Sequence, residues 1–159
     1  MANERPVLWA PWRIDWILAP KSEETGCPLC LRAEQDALLI HADEQVIVCM
    51  NKYPYGTGHL LVFPTEHLEH PKQASKEVRS ALDDAVHHAM DALQRALSPE
   101  GMNIGMNLGA AAGAGVPGHF HWHVLPRWGG DTNFLSTLAD IRTVPEHIRE
   151  TRDRIRSCW

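Results

Sequence analysis

With 159 residues, 44% of them apolar and 22% charged, the chain has the size and usage of one globular domain closing a single hydrophobic core. A formal net charge of −5 argues against a general affinity for nucleic acid, whose phosphates are tracked by basic surfaces; any polyphosphate ligand must be held by local geometry. No apolar run approaches the roughly 18 residues that cross a bilayer, and Trp9, Pro11, Trp12, Arg13 and Asp15 stand where an export signal needs an unbroken apolar stretch, so a cytoplasmic location without membrane contact is expected.

Residues 1–26 are rich in Trp and Pro and show little periodicity. An extended arm packed onto the core or onto a second subunit is expected there, because tryptophans are costly to leave in water. The remainder, 27–159, is expected to form one domain. Leu38–His41 and Gln45–Asn51 read as short strands joined by a turn at Ala42-Asp43-Glu44. Tyr53-Pro54-Tyr55-Gly56-Thr57-Gly58 is turn chemistry, and it leads into a strand, His59–Phe63, that Pro64 ends. Val78, Leu82, Val86, Met90, Leu93 and Leu97 recur at spacings of three or four. They predict a helix over Ser75–Leu97, capped by Ser75 and stopped at Ser98-Pro99. His87, His88 and the acids at 83, 84 and 91 fall mostly on its solvated face. Met102–Leu108 alternates apolar with small or polar residues and reads as a half-buried strand. Gly109–Gly118, with four Gly and four Ala between two strand patterns, reads as a close-approach loop. His119–Leu125 is the next predicted strand. Pro145–Arg156 reads as an amphipathic helix with Pro145 in its first turn. This order predicts an α+β fold with a mainly antiparallel sheet, one long helix and a C-terminal helix.

The run His119-Phe120-His121-Trp122-His123 carries the chemistry. Alternate residues of a strand share a face, which sets three imidazoles on one side while Phe120, Trp122 and Val124 take the core side. Imidazoles on a buried face need partners or water, so a purely structural row is a poor account. Two chemical readings fit: a metal held by alternating histidines, or a nucleophilic imidazole flanked by histidines that orient it and hold phosphate oxygens. Gly109, Gly113, Gly115 and Gly118 leave backbone N–H groups unobstructed as an anion nest. Phosphoryl transfer needs such donors, and a simple metal site does not.

The segment His119–Leu125 resembles the His-φ-His-φ-His-φ-φ signature of the histidine triad (HIT) superfamily. The resemblance extends upstream through Asn51, Gly58-His59-Leu60-Leu61-Val62, Pro64, His67 and Asn107-x-Gly109, covering roughly residues 27–128. The flanks Trp9-Ala10-Pro11-Trp12-Arg13, Pro126-Arg127-Trp128 and Gly130-Asp131-Thr132-Asn133-Phe134 are similar to the prokaryotic branch that includes diadenosine tetraphosphate phosphorylases. The resemblance implies a HIT-like fold in a homodimer whose sheet continues across the interface. It implies that His121 attacks the α-phosphorus and forms a nucleotidyl-histidine, with His119 and His123 beside it and His123 on phosphate oxygens. His59 is the partner that keeps His121 in its reactive tautomer. Asn51 holds the ribose, and Asn107 with the amides of Gly115 and Val116 holds the phosphates. Many members carry Gln or Ser four residues before the first triad histidine, where this chain has Gly115. That departure leaves water or inorganic phosphate open as the acceptor. A nucleoside phosphoramidase and a nucleotide-binding sensor with little turnover use the same residues and remain alternatives.

Four cysteines are present, and without an export signal a disulfide framework is not expected. Cys49 sits in the apolar run Val46–Met50 as a core residue, and Cys158 falls in an end expected to fray. Cys27-Pro28-Leu29-Cys30 alone is a weak signal, since a zinc site needs two further ligands. Zinc-containing relatives of the family pair such a C-x-x-C with two histidines, which by position are His67 and His119. The resemblance thus implies a structural Zn²⁺ and no organic cofactor. His70 is a rival fourth ligand, read as a surface residue.

Overall fold

The computed structural model describes residues 26–35, 38–131 and 146–159. The expected N-terminal arm, apart from Gly26, lies outside the described residues, as do Thr132-Asn133-Phe134. Five strands, β1 (Leu39–Ala42), β2 (Val46–Met50), β3 (Leu60–Pro64), β4 (Gly101–Met106) and β5 (Trp122–Arg127), form one sheet in the order β1-β2-β3-β5-β4. Every neighbouring pair is antiparallel. Among the described residues, three helices accompany it: α1 (Pro28–Gln35), α2 (Lys76–Leu97) and α3 (Ile148–Arg156). The α+β expectation holds. No helix among the described residues is long and apolar enough to cross a membrane.

Strands β2 and β3 are buried at every residue because both faces of the sheet centre are covered. Successive side chains alternate faces. Val48, Met50, Leu60 and Val62 join Leu82, Val86 and Leu93 of α2 and Ile155 of α3 in the main core. Ile47, Cys49, Leu61 and Phe63 point to the other face, where Leu29 of α1 closes a second, smaller core and Val116 packs on its edge. Helix α2 is placed as its periodicity predicts. Ser75 Oγ accepts from Val78 N at 3.2 Å, and Ser98 ends the helix in the left-handed region at φ 47°. Ala85, Ala89 and Ala92 are buried alongside the larger residues and let the helix approach the sheet closely.

Most strand boundaries differ from expectation by a residue or two, and three of the differences have a clear physical reason. Strand β3 begins at Leu60, one residue later than predicted, because Gly58 (φ 76°) turns the chain just before it. A Cβ at Gly58 would lie 2.6 Å from Leu97 Cδ1 and 2.9 Å from Pro126 Cγ, so only glycine fits. Strand β5 begins at Trp122, so His119 and His121 occupy its lead-in. Pro64 has no N–H to continue the ladder, and Phe120 N donates instead to Leu68 O at 2.8 Å. The last helix starts at Ile148, capped by His147, whose Nδ1 accepts from Arg149 N; Pro145 lies outside the described residues. The expected half-buried strand is the sheet edge β4, with no fully buried residue. The C-terminus does not fray: the Arg95 guanidinium grips the Cys158 carbonyl, and the Trp159 ring stacks on His41 at 5.2 Å.

Candidate active site

His123 stands on β5 in register with Leu61 of β3 and Gly105 of β4. Its ring is therefore on the face opposite α2. His121 follows the same side, its ring 4.9 Å from that of His123. His119 and His121 are buried, as is His59, which precedes β3. The row expected from alternation is present, although its first two members precede the strand.

Hydrogen-bond chemistry assigns each ring one tautomer. His121 Nδ1 lies 2.9 Å from His119 O. A carbonyl only accepts, so Nδ1 carries the proton and Nε2 keeps its lone pair. His59 Nδ1 accepts from Tyr55 N at 3.0 Å and lies 3.3 Å from Asn51 Nδ2. His59 therefore donates from Nε2 to His123 Nδ1 at 2.9 Å. That leaves the proton of His123 on Nε2, a buried atom with no partner among the described residues. An imidazole lone pair thus stands next to an N–H donor, on neighbouring rings. His59 lies beside the row as expected, but it bonds to His123; the carbonyl of His119, not His59, orients His121.

The other end of the row faces sulfur. His119 Nε2 donates to Pro64 O at 3.0 Å, which leaves the lone pair on Nδ1. That atom is 3.5 Å from both Cys27 Sγ and Cys30 Sγ, and Cys30 Sγ is 3.4 Å from His67 Nδ1. The four ligand atoms all lie within 4.8 Å of one another. A tetrahedron of S and N atoms around zinc has edges of about 3.3–3.8 Å, close to these separations. One lone pair cannot accept fully from two thiols, whereas a cation among the four atoms would satisfy them together. The expected ligand set is gathered, and the residues fit a structural zinc. His70 takes no part: its Nδ1 accepts from Lys72 N at 3.1 Å and caps the 3-10 turn Pro71–Gln73.

The family model described as HIT domain matches residues 32–130, more than half of the chain. The chain belongs to the HIT-domain family. It is 28% identical to the AP-4-A phosphorylase of Mycobacterium tuberculosis over 96% of this chain and 83% of that one. Among solved structures, a Zn-bound histidine triad family protein from Mycobacterium smegmatis superposes with a TM-score of 0.70 at 26% identity, covering 84% of this chain and 93% of that one. A hypothetical histidine triad nucleotide-binding protein from Sulfolobus tokodaii strain7 gives 0.68 at 26% identity, covering 83% and 91%.

The HIT-domain row is electrically quiet. Burial first, then the charges of His123 and His121, lowers the proton affinity of His59 to about 3. Burial, then His121, lowers that of His123 to about 4. His119 and His121 are also held below the ordinary histidine value by burial, against the opposing effect of their carbonyl partners. All four rings are neutral near pH 7. The HIT-domain loop before the row is open: a Cβ at Gly109, Gly113, Gly115 or Gly118 would meet nothing within 4 Å. Asn107 follows β4 and is half-buried, with Gly115 exposed and Val116 half-buried across the loop. The side chain of Asn51 is engaged at both ends, its Oδ1 accepting from Tyr53 N at 3.0 Å. Sequence reasoning missed three partners, Tyr55 and the carbonyls of Pro64 and His119. Tyr55 was visible only as part of the turn before His59; a backbone carbonyl leaves no sequence signal.

Proposed function

We propose that this protein cleaves nucleoside 5′-polyphosphates, dinucleoside polyphosphates such as diadenosine tetraphosphate among them, through a nucleotidyl-histidine on His121. One observation carries the reading: His121 has its Nε2 lone pair free beside the unpartnered Nε2–H of His123. Likeness to a protein named AP-4-A phosphorylase supports the substrate class. In this reading Nε2 of His121 bonds to the α-phosphorus while the bridging Pα–O bond breaks, and the remaining nucleotide departs with the oxygen. The Nδ1–H of His121 stays on the His119 carbonyl and stabilises the cationic adduct. His123 donates to a phosphate oxygen, and His59 holds the tautomer that makes this possible. Asn107 and the amides of Gly115 and Val116 bind the other phosphate oxygens, and Asn51 meets the ribose. An oxygen of phosphate or water then bonds to phosphorus as the Nε2–P bond breaks. From diadenosine tetraphosphate the leaving group is ATP, and the adenylyl group emerges as ADP with phosphate or AMP with water.

Cys27, Cys30, His67 and His119 would hold Zn²⁺, tying the start of α1 to the lead-in of β5. Its contribution is structural, and no step passes through it. The exposed edge β4, where Ile104 is 40% exposed, with Leu108 just beyond its end at 41%, supports a homodimer joined along that strand.

Product analysis on diadenosine tetraphosphate, with and without inorganic phosphate, tests the reading. ADP with ATP marks phosphorolysis, and AMP with ATP marks hydrolysis. His121→Ala should abolish turnover while nucleotide affinity survives; sustained turnover would refute the nucleophile assignment.

A further inference from the structure

Tyr55 lies in the turn between β2 and β3 and has no part in the steps above. Two separate contacts join it to the histidine pair behind the row. Its backbone N–H donates to His59 Nδ1 at 3.0 Å. Its ring lies over both imidazoles, with centroids 4.8 Å from His59 and 5.7 Å from His123, tilted by 32° and 34°. His59 is 0% exposed whereas Tyr55 is 46% exposed. The phenol ring is thus a layer between the pair and solvent on that side. We infer that Tyr55 is a positioning residue, whose ring keeps water from the His59–His123 pair and whose amide fixes the pair's tautomer.

A proton on either ring would undo the arrangement. A cationic His123 has N–H on both nitrogens, so its Nδ1 could no longer accept from His59. Burial resists that proton, and burial is the first cause of the low values of about 3 and about 4. The charge of His121 acts on both rings, and that of His123 acts on His59. Among the described residues, the remaining polar groups hydrogen-bonded to the His59 ring are Asn51 Nδ2 and the Tyr55 amide, neither of which titrates. Removing the ring therefore acts chiefly by admitting water.

The test is a titration of histidine side-chain ¹⁵N resonances in the full-length protein, recorded without nucleotide. Tyr55→Phe keeps the cover and should titrate as the parent does. Tyr55→Ala should raise the midpoints of His59 and His123 by about one unit or more toward the ordinary histidine value. The acid limb of kcat/KM should move the same way. Tyr55→Leu keeps part of the cover and should give a smaller shift of the same sign; it carries the test if the alanine variant does not fold. Midpoints unchanged in Tyr55→Ala, or in Tyr55→Leu should that variant stand in, overturn the inference, because a ring that only supports the turn would lower stability without moving them. The kinetic arm rests on the proposed function, but the titration does not. An unshifted titration therefore defeats the Tyr55 inference alone, and turnover surviving His121→Ala defeats the proposed function alone.

Discussion

Replacing His59 by Gln removes a fully buried base whose proton affinity is held down at about 3, against about 6.5 in an unfolded chain. The unfolded state therefore binds this proton more readily than the folded state. The stability His59 confers is present above about pH 6.5 and is lost as pH falls from there toward its folded value. Between pH 6 and pH 4 the loss from this one ring comes to about 2.5 kcal/mol, near 1.4 kcal/mol for each unit of pH in the steep part. Urea unfolding of parent and His59→Gln at intervals across that range gives two stability curves. Near pH 7 the variant should be less stable by about 2 kcal/mol, because Tyr55 N–H and Asn51 Nδ2 lose their acceptor. Toward pH 4 the two curves should converge or cross. Parallel curves would show that His59 is not buried as a neutral base, and the tautomer assignment of the row would fall with it.

Gly58→Ala should destabilise by about 2–4 kcal/mol, from a positive φ combined with overpacking against Leu97 and Pro126; thermal unfolding that matches the parent would contradict the local geometry. Cys30→Ser should lose bound zinc in elemental assay and lower the melting temperature, whereas equal metal content in parent and variant would exclude the four-residue site. Leu93→Ala, at the contact of α2 with the sheet, should cost about 2–5 kcal/mol in denaturant unfolding. A change below about 1 kcal/mol there would mean that the helix does not pack on the sheet through this residue.

The parts of the fold most legible in the sequence are those fixed by periodicity. The α2 stripe from Val78 to Leu97 and the apolar runs of β2 and β3 each announce an element and its buried side. The metal-type cluster was legible only through family likeness, since nothing in the spacing of Cys27, Cys30, His67 and His119 brings them together without the sheet. Strand starts were less accessible. A residue such as His119 carries strand-like alternation, yet its ladder is interrupted because Pro64 cannot donate and Leu68 takes the next hydrogen bond. The docking of Trp159 on His41 depends on how α3 crosses the sheet, which local patterning does not encode. Tautomers were the least accessible of all. They are set by a tyrosine amide and two backbone carbonyls, groups every residue of their kind possesses.

His119 serves two neighbours with different parts of itself: its ring meets the sulfur cluster, and its peptide oxygen holds the ring of His121. A side-chain substitution there deletes the first and leaves the second in place. Mutagenesis at this position consequently reports on scaffold anchoring rather than on reactivity, and a deficit seen in such a variant should be rescued by rebuilding the anchor elsewhere. The same division frees the sulfur cluster to be redesigned, or exchanged for apolar packing, without rewriting His121.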